Sequence, residues 1–459
     1  MKRSYSKSLV FCAGIGLISQ IGHAATIAWQ GTGGNWSDGT KWVGGTAPSQ
    51  GGGDNVTFSS TASGDTAAID PTGSTWIVDN FNYATSSSSS HSFTIASGKT
   101  LKIADGGVMS VGDLLTFPWT QSATFSGLGT LQLGTNSVNK ASKLNIGTQL
   151  GGAGWGPTGT VTVGTALDLN VDQLNVGMFS TGGNAVATGT LTATGAVTGN
   201  IGTATVGYSA PFNNSGGAGG IGTVDFSTAT VNNLAFGTLT IGDRSSAAAY
   251  WKSQGTVKLG SGTSSASTLV VGTTDLLFGG NTGVTTSGLL VLKGNSMAVS
   301  GSVSILGEKF TTGVGSTGEI QTRVEGTSAG LALTSGATLS LTNHLNGATS
   351  LTDNNAKLTI FFDNDPTTVI GQSIYYGFSW AGNHLSALQA LNNSGIDGFA
   401  NTIDDRLIWN VSGLSLANQS RVGIFYNNLD NTTYVGWIPE PSSLSVLALG
   451  GLLATRRKR

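Results

Sequence analysis

The chain has little cysteine, little charge and few histidines. Its 459 residues include one cysteine, Cys12, four histidines and only 10% charged side chains. A single cysteine excludes an internal disulfide framework. Because charge is scarce, Ser, Thr, Asn and Gln must supply the polar surface, which favours short strands and tight turns over helical bundles. The 38% hydrophobic residues alternate regularly, which disfavours the competing interpretation, intrinsic disorder.

Motifs for catalysis and metal binding are also missing from the sequence. There is no H-x-x-x-H spacing, no G-x-S-x-G elbow and no phosphate-binding loop. The only tight acidic pairs suit turns better than the alternative, calcium binding: Asp363/Asp365 and Asp404/Asp405. Three histidines lie far apart along the chain: His91, His344 and His384. We therefore predict no catalytic residue, no cofactor and no metal ligand.

The N-terminus has the three parts of a secretory signal peptide. Lys2, Arg3 and Lys7 form a basic start, and residues 8–21 are largely apolar. Small residues then surround a predicted cleavage site between Ala24 and Ala25. The alternative, a buried N-terminal helix, is disfavoured because no amphipathic segment follows. Cleavage would also remove Cys12 and leave a chain without thiols.

The C-terminus combines three features in a fixed order. A Pro439-Glu440-Pro441 segment comes first, and an apolar run over residues 444–454 follows it. The chain then closes with a basic cluster: Arg456, Arg457, Lys458 and Arg459. Basic residues after an apolar segment keep a tail in the cytoplasm while the bulk of the chain lies outside. The alternative, an amphipathic helix packed on the protein's own core, would need a polar face that this run does not have.

This tail resembles the PEP-CTERM sorting signal of Gram-negative bacteria. The resemblance covers only the C-terminal end, from Trp437 onward. It implies recognition of Pro439, Glu440 and Pro441 by an exosortase-type membrane protease, with the protein held transiently in the inner membrane. Release or transfer to the cell surface or to an exopolysaccharide matrix would follow. The apolar run is shorter than the roughly 20 residues of a usual membrane-spanning helix, so a transmembrane sorting segment would have to use flanking residues or be transient.

The middle of the chain contains a repeat. Six segments share an opening glycine, an alternating strand, a variable bridge, a second alternating strand and a closing glycine. They span residues 129–147, 159–177, 189–207, 222–242, 255–272 and 288–307, so the opening glycines recur every 30–33 residues. In each strand one face should be buried and the other solvated, as with Leu174 and Val176 around Asn175. The closing glycines should lie at sharp turns that favour positive φ: Gly147, Gly177, Gly207, Gly242 and Gly272.

Such a unit cannot bury its apolar face alone, so neighbouring units must stack. The fold class that we predict is all-β, a parallel β-helix or related β-solenoid, with a β-sandwich as the alternative. The repeats also resemble those of PEP-CTERM and autotransporter-associated surface proteins. The predicted divisions are a signal peptide (1–24), an N-terminal cap with first rungs (25–128), a repetitive solenoid (129–355), a β-rich C-terminal cap (356–437) and the sorting tail (438–459).

The flanking regions carry more specific expectations. Trp29, Trp36 and Trp42 should cover the open core at the N-terminal end. Residues 86–90, a serine run, should form a loop. In the C-terminal cap we expect strands over residues 358–362 and 422–426 and one short helix over residues 384–393.

The charge pattern bears on function. Without residues 1–24 and 439–459 the chain keeps 14 basic and 22 acidic residues, which disfavours a nucleic-acid partner. β-Helix polysaccharide lyases and glycosidases need carboxylates gathered on adjacent rungs. The charged residues of the repeats do not fall at matching repeat positions: Asp168, Asp172, Asp225, Asp243, Arg244, Lys258 and Lys293.

We predict a non-catalytic secreted structural protein of the cell surface or extracellular matrix, with a carbohydrate-binding adhesin as the alternative and a polysaccharide-degrading enzyme as a weaker one. Sugar contacts, if present, would come from aromatic residues between the repeats, which otherwise cover loop cores. These aromatics are Trp155, Phe179, Phe212, Tyr250, Trp251, Phe278 and Phe310.

Overall fold

The computed structural model describes residues 25–58, 64–113, 119–149, 156–179, 185–209, 219–244, 252–272, 286–310, 316–325, 327–346, 355–366, 374–394, 401 and 405–437. Strand residues make up 67% of this part of the chain and helical residues 5%, which confirms the all-β prediction. The strands wind into a β-solenoid of about 8 turns.

The strands follow one another with few helices between them. The N-terminal part contains β1 (Ala25–Trp29), a 3-10 turn (Gly39–Lys41), β2 (Asp54–Phe58), β3 (Asp65–Ile69), β4 (Thr75–Tyr83), β5 (Ser89–Ile95), β6 (Thr100–Asp113), β7 (Thr120–Gly127), β8 (Thr130–Leu133) and β9 (Ala141–Thr148). The central part contains β10 (Thr158–Val163), β11 (Ala166–Leu169), β12 (Val171–Phe179), β13 (Val186–Ala193), β14 (Val197–Ser209), β15 (Gly219–Phe226), β16 (Asn232–Ile241), β17 (Lys252–Leu259), β18 (Gly262–Gly272), β19 (Thr286–Lys293), β20 (Asn295–Phe310), β21 (Thr317–Glu325), β22 (Gly330–Leu333) and β23 (Thr338–Asn346). The C-terminal part contains β24 (Ala356–Asn364), β25 (Tyr375–Ala381), α1 (Leu385–Asn392), β26 (Leu407–Asn410), α2 (Leu416–Gln419), β27 (Val422–Asn427) and β28 (Thr432–Trp437).

Two sheets enclose the core. The narrow sheet has 11 strands in chain order, β3-β5-β7-β10-β13-β15-β17-β19-β21-β24-β26, and its neighbours pair in parallel, as β10 does with β13. The wide sheet contains the other 17 strands. A turn of the solenoid thus contributes one strand to the narrow sheet and one long strand or two short ones to the wide sheet.

The stacked register explains the repeat. In the wide sheet Leu144 pairs with Leu174, and the column continues through Ala204, Leu239 and Leu269. The neighbouring column runs through Ile146, Val176, Val206, Ile241 and Val271. All of these side chains are buried, which confirms the predicted apolar face. Since like residues lie above like residues, the core is continuous along the solenoid.

The opposite face is not uniformly solvated, contrary to the expectation. Asn145 and Asn175 are only 5% and 6% exposed. The Asn175 amide donates a hydrogen bond to Asn145 Oδ1 at 2.9 Å, and the Asn145 amide donates to Asp113 Oδ2 at 2.9 Å. An amide carries both donors and an acceptor, so stacked asparagines satisfy one another and can be buried at little cost.

Glycines pack against glycines where the two sheets meet. Each closing glycine faces the opening glycine that follows it, forming the paired glycine column: Gly147/Gly159, Gly177/Gly189, Gly207/Gly222, Gly242/Gly255 and Gly272/Gly288. The closing glycines have φ between 57° and 98°, as predicted. A Cβ on Gly222 would lie 2.3 Å from the Gly207 nitrogen. These positions therefore require glycine for space as well as for backbone conformation.

The first predicted repeat was aligned incorrectly. Gly159 pairs with Gln121 of β7, not with a residue near Gly129. The strand after Gly129 is β8, which lies in the wide sheet and pairs with β11. Both sides of a turn alternate with period two, so the sequence does not distinguish them. The repeat also continues for one more turn than predicted, because Gly318 of β21 pairs in register with the opening glycine Gly288.

Aromatic residues fill the N-terminal end. Trp29, Trp36 and Trp42 are at most 1% exposed, as expected for residues that cover the core. The backbone on both sides of Asn35 hydrogen-bonds to Ala68 of β3 and so protects the free edge of the narrow sheet. The loop predicted over residues 86–90 is wrong at its end, since Ser89 begins β5 and its hydroxyl donates to Gln121.

The C-terminal end changes from parallel to antiparallel pairing. The predicted strands over residues 358–362 and 422–426 lie within β24 and β27, and the predicted helix corresponds to α1. β28 lies between β25 and β27 and is antiparallel to both. Leu388 of α1 is fully buried against the core. Helix and hairpin together close this end of the solenoid.

We expect Gly177→Ala to destabilise the protein by about 2 kcal/mol or more. Gly177 has φ of 62°, and a Cβ there would lie 1.8 Å from the Ile221 carbonyl oxygen. The matched control is Gly164→Ala in the same turn, where the nearest atom would lie at 3.5 Å. Urea unfolding midpoints measure both changes, and equal midpoints for the two variants would contradict the assigned packing.

We also expect His91 to make stability depend on pH. Its ring stacks on Phe93, and its Nδ1 lies 3.7 Å from Asp65 Oδ2, which accepts a hydrogen bond from Trp29. Burial lowers the pKa of His91 from 6.5 to about 4, although the nearby Asp65 carboxylate opposes this shift. In the unfolded chain His91 takes up a proton near its ordinary pKa, whereas in the folded protein it stays neutral until the pH approaches 4.

Stability should therefore fall as the pH falls from 6.5 to about 4, by on the order of 2–3 kcal/mol from this group. Unfolding midpoints across that range, compared between the wild type and His91→Gln, isolate the contribution because glutamine does not titrate. An identical pH dependence in both proteins would rule it out.

Candidate functional site

Only Ala25 of the predicted processing residues lies within the part of the chain that the structure describes. Ala25 is the first residue of β1 and pairs with Asp54. Trp437 is the last residue of β28. The other predicted processing residues lie outside the described residues: Ala24, Pro439, Glu440, Pro441, Arg456, Arg457, Lys458 and Arg459. Within the described ranges, no helix combines the length and apolar character needed to cross a membrane.

The acidic pair Asp363 and Asp365 holds the cap together. Asp363 accepts two hydrogen bonds from the Arg323 guanidinium, at 3.0 and 3.1 Å. Asp365 accepts from the Asn418 side chain at 2.9 Å and from the Ser415 backbone at 3.0 Å. These hydrogen bonds, that from Asn418 above all, lower the pKa of Asp365. Both carboxylates thus act as structural acceptors, while Asp404 of the second acidic pair lies outside the described residues.

Some repeat charges do occupy matching positions, contrary to the expectation. Asp225 of β15 pairs in register with Lys258 of β17, and their side chains form an ion pair at 3.0 Å. Lys293 and Glu325 form another at 3.6 Å. In each of these two ion pairs a lysine of a neighbouring turn neutralises the carboxylate, so the pairs do not gather carboxylates. In the part of the chain that the structure describes, no three His, Cys, Asp or Glu side chains converge as metal ligands would.

One ion pair is fully enclosed in the solenoid. Arg244 Nη2 lies 3.5 Å from Glu308 Oε2, and the two side chains are 2% and 0% exposed. The residues are 64 positions apart and connect different turns. Such a pair is inaccessible to a substrate and serves the stacking of the turns.

Most of the aromatic residues proposed as sugar contacts lie outside the described residues: Trp155, Phe212, Tyr250, Trp251 and Phe278. Phe179, at the end of β12, is fully buried and so belongs to the packing of the solenoid. Phe310 ends β20. The adhesin hypothesis therefore stays a prediction at these loops.

A shallow groove of about 310 Å³ runs along the bend of the wide sheet. It crosses successive turns, from Asn200 through Ala235 and Ser265 to Ala298. Small side chains leave this concave bend open. Its direction, along the solenoid axis, suits an extended chain more than a compact ligand.

A larger cleft of about 600 Å³ lies in the C-terminal cap, beside the last strand of the narrow sheet. Its walls come from β24, β26, the turn after β26, and α2. They present aromatic, amide and hydroxyl groups: Thr359, Phe361, Trp409, Asn410, Ser412 and Gln419. No ionisable side chain is among the described residues that line it. The described part of the lining thus offers the Phe361 ring and neutral hydrogen-bonding groups. Trp409 pairs with the buried Ile360 and packs toward the core.

The backbone of this cleft is held from several sides. Ile360 of β24 pairs with Trp409 of β26. The Asn401 side chain accepts from the Trp409 N–H at 2.7 Å and donates to its carbonyl at 3.2 Å. Asn401 adopts φ of 60°, a conformation that asparagine tolerates better than most residues. The position of the Trp409 backbone is thus set by a strand on one edge and a side-chain amide on the other.

Comparison of the chain with protein-family models, with curated proteins and with solved structures finds no match. The residues of the cleft must therefore be argued from their chemistry. Sequence reasoning missed them because Phe361, Trp409 and Gln419 come from separate elements and meet only through the closing turns of the solenoid. The weak signal available was the tryptophan within the short polar-flanked strand β26.

Proposed function

We propose that this chain is a non-catalytic structural protein of the cell surface or extracellular matrix, sorted through an exosortase-type system. The observation that carries the proposal is the tripartite C-terminal tail. Only Ile438 separates Trp437, the last residue of β28, from Pro439 in the sequence.

The proposed route uses both ends of the chain. The N-terminal signal directs export and is removed after Ala24, and the apolar run with its basic end then holds an intermediate in the inner membrane. An exosortase-type protease acts at the segment Pro439-Glu440-Pro441. The body of the protein is then transferred to the surface or to the exopolysaccharide around the cell.

The solenoid supports a structural role. Its core is continuous from the N-terminal tryptophans to the C-terminal cap, and neighbouring turns contribute their stability additively. Asp225 and Lys258, on adjacent turns, neutralise each other. A solenoid of this kind can gain further turns without needing a separate core. Its surface exposes mostly neutral polar groups.

The second candidate function is a carbohydrate-binding adhesin. The axial groove and the cleft of the C-terminal cap favour it, because both offer uncharged polar groups on concave surfaces. A polysaccharide lyase or glycosidase has weaker support, since Asp363 and Asp225 are engaged by Arg323 and Lys258.

We expect the protein recovered from the cell surface or medium to end at or near Pro439-Glu440-Pro441, and Glu440→Ala to keep its C-terminus at Arg459. The reason is that the protease must read the segment before it cuts. Mass spectrometry of the C-terminal peptide, with fractionation of membrane and surface material, measures both.

The matched control is Ser443→Ala, which changes the same stretch and leaves Pro439, Glu440 and Pro441 in place. It should be processed like the wild type. If the wild-type protein from the surface still carries Arg459, the tail is a plain anchor and the sorting proposal fails.

A further inference from the structure

We infer that mild acid releases the first turn of the solenoid from the rest of the fold, with His91 as the residue that takes up the proton. The first turn consists of β1, β2 and β3, with described residues 25–58 and 64–69. The inference goes beyond the proposed function and does not depend on it. Its basis is a histidine enclosed where the first turn meets the second, at the pairing of β3 with β5.

Aromatic rings surround the imidazole of His91, which is only 3% exposed. The ring centroid of Phe93 lies 4.6 Å from that of His91 and the centroid of Phe58 lies at 5.0 Å. Those of Trp29 and Tyr83 both lie at 6.1 Å. Trp29 and Phe58 belong to the first turn, so lifting this turn away would expose the imidazole to water.

The closed aromatic surround cannot satisfy a protonated imidazole. His91 Nδ1 lies 3.7 Å from Asp65 Oδ2, whereas His91 Nε2 is buried and has no hydrogen-bond partner among the described residues. A protonated imidazole carries an N–H on both nitrogens. The charged ring would therefore hold a buried donor without an acceptor, which is costly. Once the first turn is released, water can accept from this nitrogen, so protonation favours the released state.

The ionisable groups around His91 do not cancel this preference. Among the described side chains that surround it, Asp65 of β3 and Tyr83 of β4 can titrate, whereas β1, β2 and β7 contribute aromatic or aliphatic side chains. Burial raises the pKa of Tyr83, which keeps it neutral in mild acid. The Asp65 carboxylate favours the protonated imidazole, but burial outweighs it and lowers the pKa of His91 to about 4.

The first turn can open without the rest of the solenoid. It stacks on one neighbouring turn only, through the pairing of β2 with β4 and of β3 with β5, whereas an inner turn has a neighbour on each side. The paired glycine column begins at Gly147 and does not extend to it. A terminal unit of this kind opens locally at a lower free energy than the whole fold. Its release would uncover β4 and β5.

The experiment is hydrogen–deuterium exchange of the purified protein, read by mass spectrometry at about pH 7.5 and about pH 5 and corrected for the pH dependence of chemical exchange. This range stays above the ordinary pKa of carboxyl side chains. We expect the corrected exchange of peptides from β1 and β2 to rise about 25-fold at the lower pH, and that of peptides from β10 to β18 to stay unchanged. The factor follows from a His91 pKa of 6.5 in the released state and about 4 in the closed state.

Two variants remove the titrating group. His91→Gln should abolish the rise, and His91→Phe should abolish it and also slow the exchange of the first turn, because a phenyl ring suits the aromatic surround. The matched control is His384→Gln in the C-terminal cap, where the imidazole stacks on Trp380 at 3.8 Å. This control should show the same rise as the wild type. If His91→Gln does not fold, as judged by circular dichroism, His91→Phe decides the question.

Three results would overturn the inference. The first is unchanged exchange of β1 and β2 in the wild type at the lower pH. The second is an equal rise in the wild type and in the folded His91 variants, which would assign the proton uptake to another group. The third is a rise in β10 to β18 as large as that in β1 and β2, which would mean that the fold opens as a whole. None of these outcomes bears on the sorting route, which is tested at the other end of the chain.

Discussion

The two sheets touch backbone to backbone along the paired glycine column, with no side chain between them. A Cβ on Gly189 would lie 2.2 Å from the Gly177 nitrogen, and one on Gly255 would lie 2.3 Å from the Gly242 nitrogen. Two glycines per turn thus fix how closely the narrow and wide sheets approach. That distance sets the thickness of the core, in which residues such as Leu174 and Val176 are buried.

Much of this arrangement could be predicted from the sequence, because stacking repeats it. Glycines that recur every 30–33 residues and strands that alternate with period two are each visible in a single chain. The sequence did not predict which sheet each strand joins, or therefore how the strands of successive turns align. Gly129 opens a strand that looks like its neighbours but belongs to the other sheet, since alternation carries no information about which side of a turn a strand occupies.

The polar positions were harder to predict than the apolar ones. Asn175 lies between two buried residues, and its sequence context predicts a solvated side chain. It is buried instead, because it stacks on Asn145 of the preceding turn, which in turn hydrogen-bonds to Asp113. The cleft in the C-terminal cap shows the same limit more strongly. Phe361 and Asn410 have ordinary neighbours in sequence, and only the pairing of β24 with β26 places them side by side at the cleft.

The position of β28 has a mechanical consequence. Trp437 lies in a strand bordered by β25 on one side and β27 on the other, with ladders of hydrogen bonds to both. Tension entering at residue 437, from any attachment beyond it, would load both ladders together instead of peeling one strand from an edge. The described fold therefore ends in a strand held at both edges, so pulling this end out requires both hydrogen-bond ladders to break.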